Sequence, residues 1–299
     1  MSTEHLTPFS RFLARADEFS AEDLSRHWVD QTVHFVLTSD RPIDPVAVGP
    51  HLRRSFLGAL GPGGSDLARR SEPCDWDPPC ALDIFCREQL RGPRGDGMPK
   101  PYLVYATSCG KILQVSLRVF GVANDWFPTA TEAMGAGLRD ILPWQKRLGV
   151  PQPTLISRQI DMFQSFEVPA DTSTLVLEFE SPADISGKSE SQNLGRSLIG
   201  RLLRRVDALA RWQGAKFSDS ELRRLTASLD KLDYDLVGLR SGRVSSPNIQ
   251  KQDRTRSVLT GRLTLRGELS AIRPVLQIGE RCSVGRGAVE GLGRFRIAS

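Results

Sequence analysis

No stretch of the 299 residues approaches the roughly 18 consecutive apolar side chains of a membrane-crossing helix. The opening MSTEHLTPFS also lacks the basic and apolar regions of a secretory signal. A cytoplasmic protein with no membrane partner is therefore expected. Cysteine is scarce and odd in number, five in all, which excludes a disulfide framework. Three of the five, Cys74, Cys80 and Cys86, are separated by five residues each, wider than the two to four of a zinc knuckle. They read as a loop of small thiols. No Gly-x-x-x-x-Gly-Lys-Ser/Thr occurs, and Gly285-x-Gly287-x-x-x-Gly291 has the wrong spacing for a dinucleotide fingerprint. No cluster of Asp, Glu and His marks a metal-dependent nuclease, and the carboxylates of DWDPP (75–79) read as a turn. The chain is expected to need no metal and no cofactor. Histidine is limited to four residues, His5, His27, His34 and His51.

Positive charge is abundant but concentrated. Residues 1–195 carry 19 Lys and Arg against 25 Asp and Glu, whereas residues 240–299 carry 12 against 4 and residues 196–224 carry 8 against 3. Of the 12 basic residues after 240, 11 are arginine, whose planar fork suits phosphates and bases. A mildly acidic front and a basic back is the electrostatic footprint of a polyanion site.

Periodicity divides the chain into two halves. In residues 1–170, a strand at 31–38 precedes a helix in PVAVGPHLRRSFLGAL, with Leu52, Phe56 and Leu60 at four-residue spacing. An irregular Gly/Pro/Cys-rich excursion occupies 61–99. Strands at 101–107 and 112–121, a helix at about 127–142 and a strand at about 153–167 complete a β-α-β-β-α-β order. In residues 171–299, a strand at 172–181 precedes a strongly amphipathic helix, 193–215. Leu198, Leu202, Val206 and Leu209 form its apolar stripe, and Gly214 is a candidate C-cap. A further helix from Asp219 to about Leu232, a strand at 256–267, a helix at 271–282 and a terminal strand follow. The fold class is α+β, with tandem ferredoxin-like halves, a helical insertion in the second, and a Gly-rich loop at 285–293.

The stretch TGRLTLRGELSAIRPVLQIGERCSVGRGAVEGLGRF resembles the C-terminal signature of the CRISPR-associated repeat endoribonucleases, RAMP-superfamily enzymes that process precursor CRISPR RNA. The matching pattern is a Gly-flanked strand, a Leu-rich helix, then Gly-Arg-Gly and Gly-Leu-Gly-Arg-Phe. VGPHLRRSFLGAL is similar to the family's first helix, with Arg54 and Leu57 in place of two of its glycines, and KPYLVY also fits the family's layout. The resemblance covers about residues 31–299.

It implies an endoribonuclease that binds CRISPR repeat RNA and cuts it without metal into guide RNA, leaving a 2′,3′-cyclic phosphate and a 5′-OH. Other CRISPR effector subunits become possible partners. Gly285, Gly287, Gly291 and Gly293 would bring the loop close to the RNA backbone, with Arg286 and Arg294 supplying charge. Arg201, Arg204, Arg205 and Arg211 lie off the apolar stripe of their helix and are expected to face outward onto phosphate. Such a reaction needs proton transfer at the 2′-OH and at the leaving oxygen, which suits histidine. His51 begins the helix after the first strand, where several members of the family place their catalytic histidine. Arg53 and Arg54 beside it could stabilise the phosphorane. His34, inside the strand, and Arg240 are fallbacks, and Tyr234 and Lys251 are weaker candidates. A competing expectation is a non-catalytic RNA-binding subunit of a larger ribonucleoprotein, motivated by the few histidines and by the departures in the first helix.

Overall fold

The computed structural model describes residues 6–91, 97–140, 144, 148–163, 165–166, 173–184, 194–246 and 254–298. It divides into two compact units whose boundaries interleave. The first holds Met1–Asp17, Val29–Gln164 and Arg211–Gly214; the second holds Glu18–Trp28, Ser165–Ala210 and Ala215–Ser299. A single division near residue 170 therefore misses two exchanged segments.

In the first unit, strands Asp30–Thr38, Tyr102–Cys109, Ile112–Phe120 and Thr154–Met162 form one antiparallel sheet. Across it the order is 102–109, 112–120, 30–38, 154–162. Helices Pro45–Leu60 and Phe127–Arg139 complete the β-α-β-β-α-β sequence. Helix 45–60 starts where Asp44 caps the N–H of Val46 (2.9 Å) and Pro45 supplies a preset φ at the first turn. Its buried face, Val48, Leu52, Phe56 and Leu60, follows the four-residue apolar spacing. Phe56 meets Phe85 and Tyr102 edge-on, at 5.7 and 5.3 Å between centroids, so the excursion contributes to the core. That excursion carries short helices, Asp66–Arg69 and Ala81–Cys86, which a Gly/Pro-rich composition concealed. The exchanged segment 211–214 belongs here because Trp212, 1% exposed, packs against Phe9 (5.9 Å) and donates its indole N–H to Pro99 O (3.0 Å).

In the second unit, strands Phe295–Ala298, Thr174–Asp184, Arg254–Arg266 and Asp233–Asp235 are neighbours in that order, and Leu239–Ser246 pairs with the other end of 254–266. Leu175 and Leu177 point to the core opposite Leu265 and Leu263, and the alternate residues Val176 and Glu178 point the other way. Helix Leu194–Ala210 ends in a 3-10 turn at 211–213, with Gly214 left-handed (φ 73°) just beyond, as expected of the C-cap. Helix Asp219–Leu229 is capped by Ser218, whose hydroxyl accepts the N–H of Glu221 (3.1 Å). Helix Arg273–Cys282 crosses the long helix where Gly279 leaves no room for a β-carbon, which would stand 2.6 Å from Leu202 Cδ2. The exchanged segment 18–28 carries helix Ala21–His27 and a strand, Asp17–Phe19, that pairs with Ala215–Phe217. Among the described residues no helix is long and apolar enough to cross a membrane.

Candidate nucleic-acid interface

The Gly-rich segment closes the second unit. Gly285, Gly287, Gly291 and Gly293 all have left-handed φ, between 69° and 87°. A β-carbon on Gly293 would lie 1.8 Å from Val284 O, and one on Gly285 would lie 2.5 Å from Asp184 O. Only glycine fits either place. Backbone hydrogen bonds fasten the loop: Gly293 N–H to Pro182 O (2.8 Å), Arg286 N–H to Asp184 O (3.1 Å) and Val284 N–H to Gly293 O (2.9 Å). Left-handed Gly287 leads directly into the right-handed turn 288–290. Alternation of that kind gathers successive N–H groups into a concavity suited to anions. Arg286 is exposed beside it, while Arg294 pairs with Glu180 and is largely covered.

The sheet adds a row of arginines that the sequence did not single out. Glu178 lies between Arg262 and Arg296 on neighbouring strands, accepting from Arg262 Nη2 (2.9 Å) and Arg296 Nη2 (2.6 Å). Hydrogen bonds from both guanidinium groups hold the Glu178 carboxyl below the usual range. Both arginines remain more than half exposed, at 64% and 59%. The signal was present in the alternation of strand 295–298, which places Arg296 opposite to Phe295 and Ile297, but Glu178 lies 118 residues from Arg296 and 84 from Arg262.

The helix arginines divide. Arg204 is exposed and Arg201 half-buried, consistent with an outward face. Arg211 lies in the 3-10 turn assigned to the first unit. Arg205 corrects the expectation: its guanidinium turns inward and its Nε donates to Cys282 O (2.8 Å), at the carbonyl end of helix 273–282. Burial pushes its pKa down, although the Cys282 side chain favours the charge. Arg205 flanks Leu202 and Val206 closely enough to share their buried side, and it satisfies a terminal helix carbonyl.

In the first unit, His51 sits in the second turn of helix 45–60, not at its start, and is 6% exposed beside Val48 and Leu52. Arg53 donates from Nε to the hydroxyl of buried Tyr102 (3.1 Å), and Arg54 is exposed. His34 lies on the sheet face opposite to Phe35, with Nδ1 at 2.8 Å from Ser116 Oγ and Nε2 at 3.1 Å from Asp161 Oδ2. Arg240 is exposed on strand 239–246 of the second unit. Tyr234 donates to Leu229 O (2.8 Å), and burial pushes its pKa up to about 12, which suits support more than chemistry. Lys251 lies outside the described residues. Among the described residues no group of three or more His, Cys, Asp or Glu could hold a metal.

Comparison with known proteins decides which family this architecture resembles. Residues 177–295, from the central strand through the Gly-rich loop, match the family model "CRISPR-associated endoribonuclease Cas6". The chain is similar to the Cas6 endoribonucleases. The likeness read from its C-terminal glycines is thereby borne out. A solved Cas6 product complex superposes with TM-score 0.57 at 15% identity, covering 90% of this chain and 100% of that one. Cas6 from Thermus thermophilus gives TM-score 0.54 at 14% identity, covering 91% and 99%. A partial Cas6-RT-Cas1–Cas2 complex gives 0.51 at 9% identity, covering 91% of this chain and 46% of that one. No curated protein matches the sequence.

Proposed function

We propose that this Cas6-like chain is a metal-independent endoribonuclease that binds CRISPR repeat RNA and cuts it once, releasing guide RNA with a 2′,3′-cyclic phosphate and a 5′-OH end. The observation that carries the reading is the Gly-rich loop, which lies within the stretch matching the Cas6 model and combines four left-handed glycines with an exposed arginine. The β-α-β-β-α-β order of the first unit reads as a ferredoxin-like domain, and the second unit reads as another that carries inserted elements. The loop backbone, Arg286, and the arginine row of Arg262 and Arg296 supply phosphate contacts, aided by Arg201 and Arg204. Proton transfer falls to His51, with Arg53 and Arg54 for phosphorane charge. His34 and Arg240 stand in reserve.

A second reading, a repeat-binding subunit without its own cleavage activity, is favoured by the burial of His51. Incubating the protein in excess with repeat RNA in EDTA separates the two. Cleavage that disappears when the nucleotide at the cut carries no 2′-OH supports the nuclease, because the nucleophile has been removed. Tight binding with no product supports the subunit.

A further inference from the structure

The cysteine loop of the first unit takes no part in the RNA surface, yet its geometry is specific. Asp83, 2% exposed, is held by Arg87 (2.6 Å) and accepts the backbone N–H of Cys74 (3.0 Å), which fixes where that residue enters the loop. The sulfur of Cys74 accepts the N–H of Cys80 at 3.3 Å. Burial pushes the Cys74 pKa up, but hydrogen bonding from Cys80, Ser65 and Trp76 outweighs it and holds the thiol below its ordinary value. Cys80 differs: it is 6% exposed, and burial pushes its thiol up. Cys86 is raised for the same reason. Cys74 itself is half-buried, on a loop whose next four residues are exposed. A half-buried sulfur on an exposed loop, accepting the N–H of a second, buried cysteine, is the arrangement of an attacking thiol and a resolving thiol.

We propose that Cys74 reacts with peroxides and that Cys80 resolves the product, closing a disulfide across residues 74–80. The Cys74 thiolate attacks one peroxide oxygen, the O–O bond breaks, and the departing oxygen takes a proton to leave as water or an alcohol. Cys74 is then a sulfenic acid. The Cys80 sulfur attacks that sulfur, and hydroxide departs with the Cys80 proton as water. Two electrons have passed from the thiol pair to the peroxide, and a dithiol reductant returns them. The bond fixes the loop bearing Trp76, which is 53% exposed and forms, with Trp126, Phe127 and Ile160, part of the wall of a groove of about 910 Å³.

The test uses the reduced full-length protein, given one equivalent of hydrogen peroxide, alkylated and digested with trypsin. The peptide Ser71–Arg87 is expected to be lighter by two hydrogens, with Cys86 its only alkylated cysteine. Cys80→Ser is expected to hold Cys74 as a sulfenic acid that dimedone traps, and Cys74→Ser is expected to give neither product. Without peroxide, Cys74 should react with a thiol reagent at least about tenfold faster than exposed Cys109. Full alkylation of Cys74 and Cys80 after peroxide, or no dimedone adduct in Cys80→Ser, overturns the proposal. A thermal melt of each variant matching the parent shows that the loop substitutions have not unfolded the unit.

Discussion

His34 Nε2 stands 3.1 Å from Asp161 Oδ2, across the strand pair 30–38 and 154–162, while its Nδ1 meets Ser116 Oγ at 2.8 Å on the other side. Gln114 Nε2 lies 3.0 Å from the same Nδ1, so three strands converge on one imidazole. Ser116 is 1% exposed, so its hydroxyl relies on protein partners.

Removing the ring should therefore cost stability more than chemistry. His34→Ala is expected to destabilise the first unit by about 1–3 kcal/mol, the cost of leaving buried polar groups without a partner. Denaturant titration reads that loss. Cleavage per folded molecule should change by less than about threefold, far below the share of an acid–base group. A hundredfold loss with unchanged stability would instead assign the proton transfer to His34.

His51 is the sharper case. As the general acid or base, His51→Ala should lower the cleavage rate by about 10²–10⁴-fold with repeat affinity nearly unchanged. His51→Asn keeps more of the buried volume, and so separates lost chemistry from a lost core contact. Equal loss of binding and cleavage in both variants would make His51 a packing residue and leave the subunit reading standing.

These two histidines show what periodicity can and cannot say. The apolar spacing of Leu52, Phe56 and Leu60 placed helix 45–60 and its buried face, and the stripe of Leu198, Leu202, Val206 and Leu209 placed the buried face of helix 194–210. His51 and Arg205 each adjoin such a stripe, and the side chain of a residue at a stripe's edge can turn either way. One is buried with that stripe, and a terminal helix carbonyl drew in the other. The exchanged segments were invisible for another reason. A three-residue strand at 17–19 has no measurable period, and Trp212 reads as part of its helix until its indole finds Pro99 O. Likewise, Glu178 signals nothing until the register sets it between Arg262 and Arg296.

Glu221 predicts a pH dependence for the anchoring of helix 21–27. Its carboxylate accepts from Arg224 Nε (2.7 Å) and Nη2 (2.7 Å), and from the N–H of Ala21 (2.9 Å). Hydrogen bonds from Arg224 come first in holding its pKa below the ordinary carboxyl range; burial opposes them, and the Ala21 N–H adds to them. A depressed carboxyl stabilises the fold above its unfolded pKa, and that contribution disappears as pH falls through the folded value. Glu221→Gln should therefore destabilise the second unit near neutrality and approach the parent's stability between about pH 4 and pH 3. Amide exchange in residues 21–27 is the local readout. A gap between variant and parent that stays constant down to pH 3 would rule out this linkage.

Arg204 and Arg205 are adjacent in sequence and should fail in different ways. Arg204 is exposed, and with Arg201 it offers charge that RNA phosphates can take up. Each phosphate contact releases counterions, so replacing Arg201 and Arg204 with alanine should weaken repeat binding and scrambled RNA binding alike. It should also reduce the slope of log affinity against log salt by about 0.7–0.9 per lost contact. Arg205 instead donates to Cys282 O, two residues before Val284, whose N–H closes the Gly-rich loop on Gly293 O. Arg205→Ala strands that carbonyl and opens space between two helices, so thermal stability should fall. The salt slope of the molecules that remain folded should stay at the parent value, since no phosphate contact is lost. Binding titrations at four salt concentrations, normalised to the folded fraction, measure both slopes. A slope reduced in Arg205→Ala as much as in the Arg201/Arg204 variant would return Arg205 to the RNA surface and show that its inward hydrogen bond breaks when RNA binds.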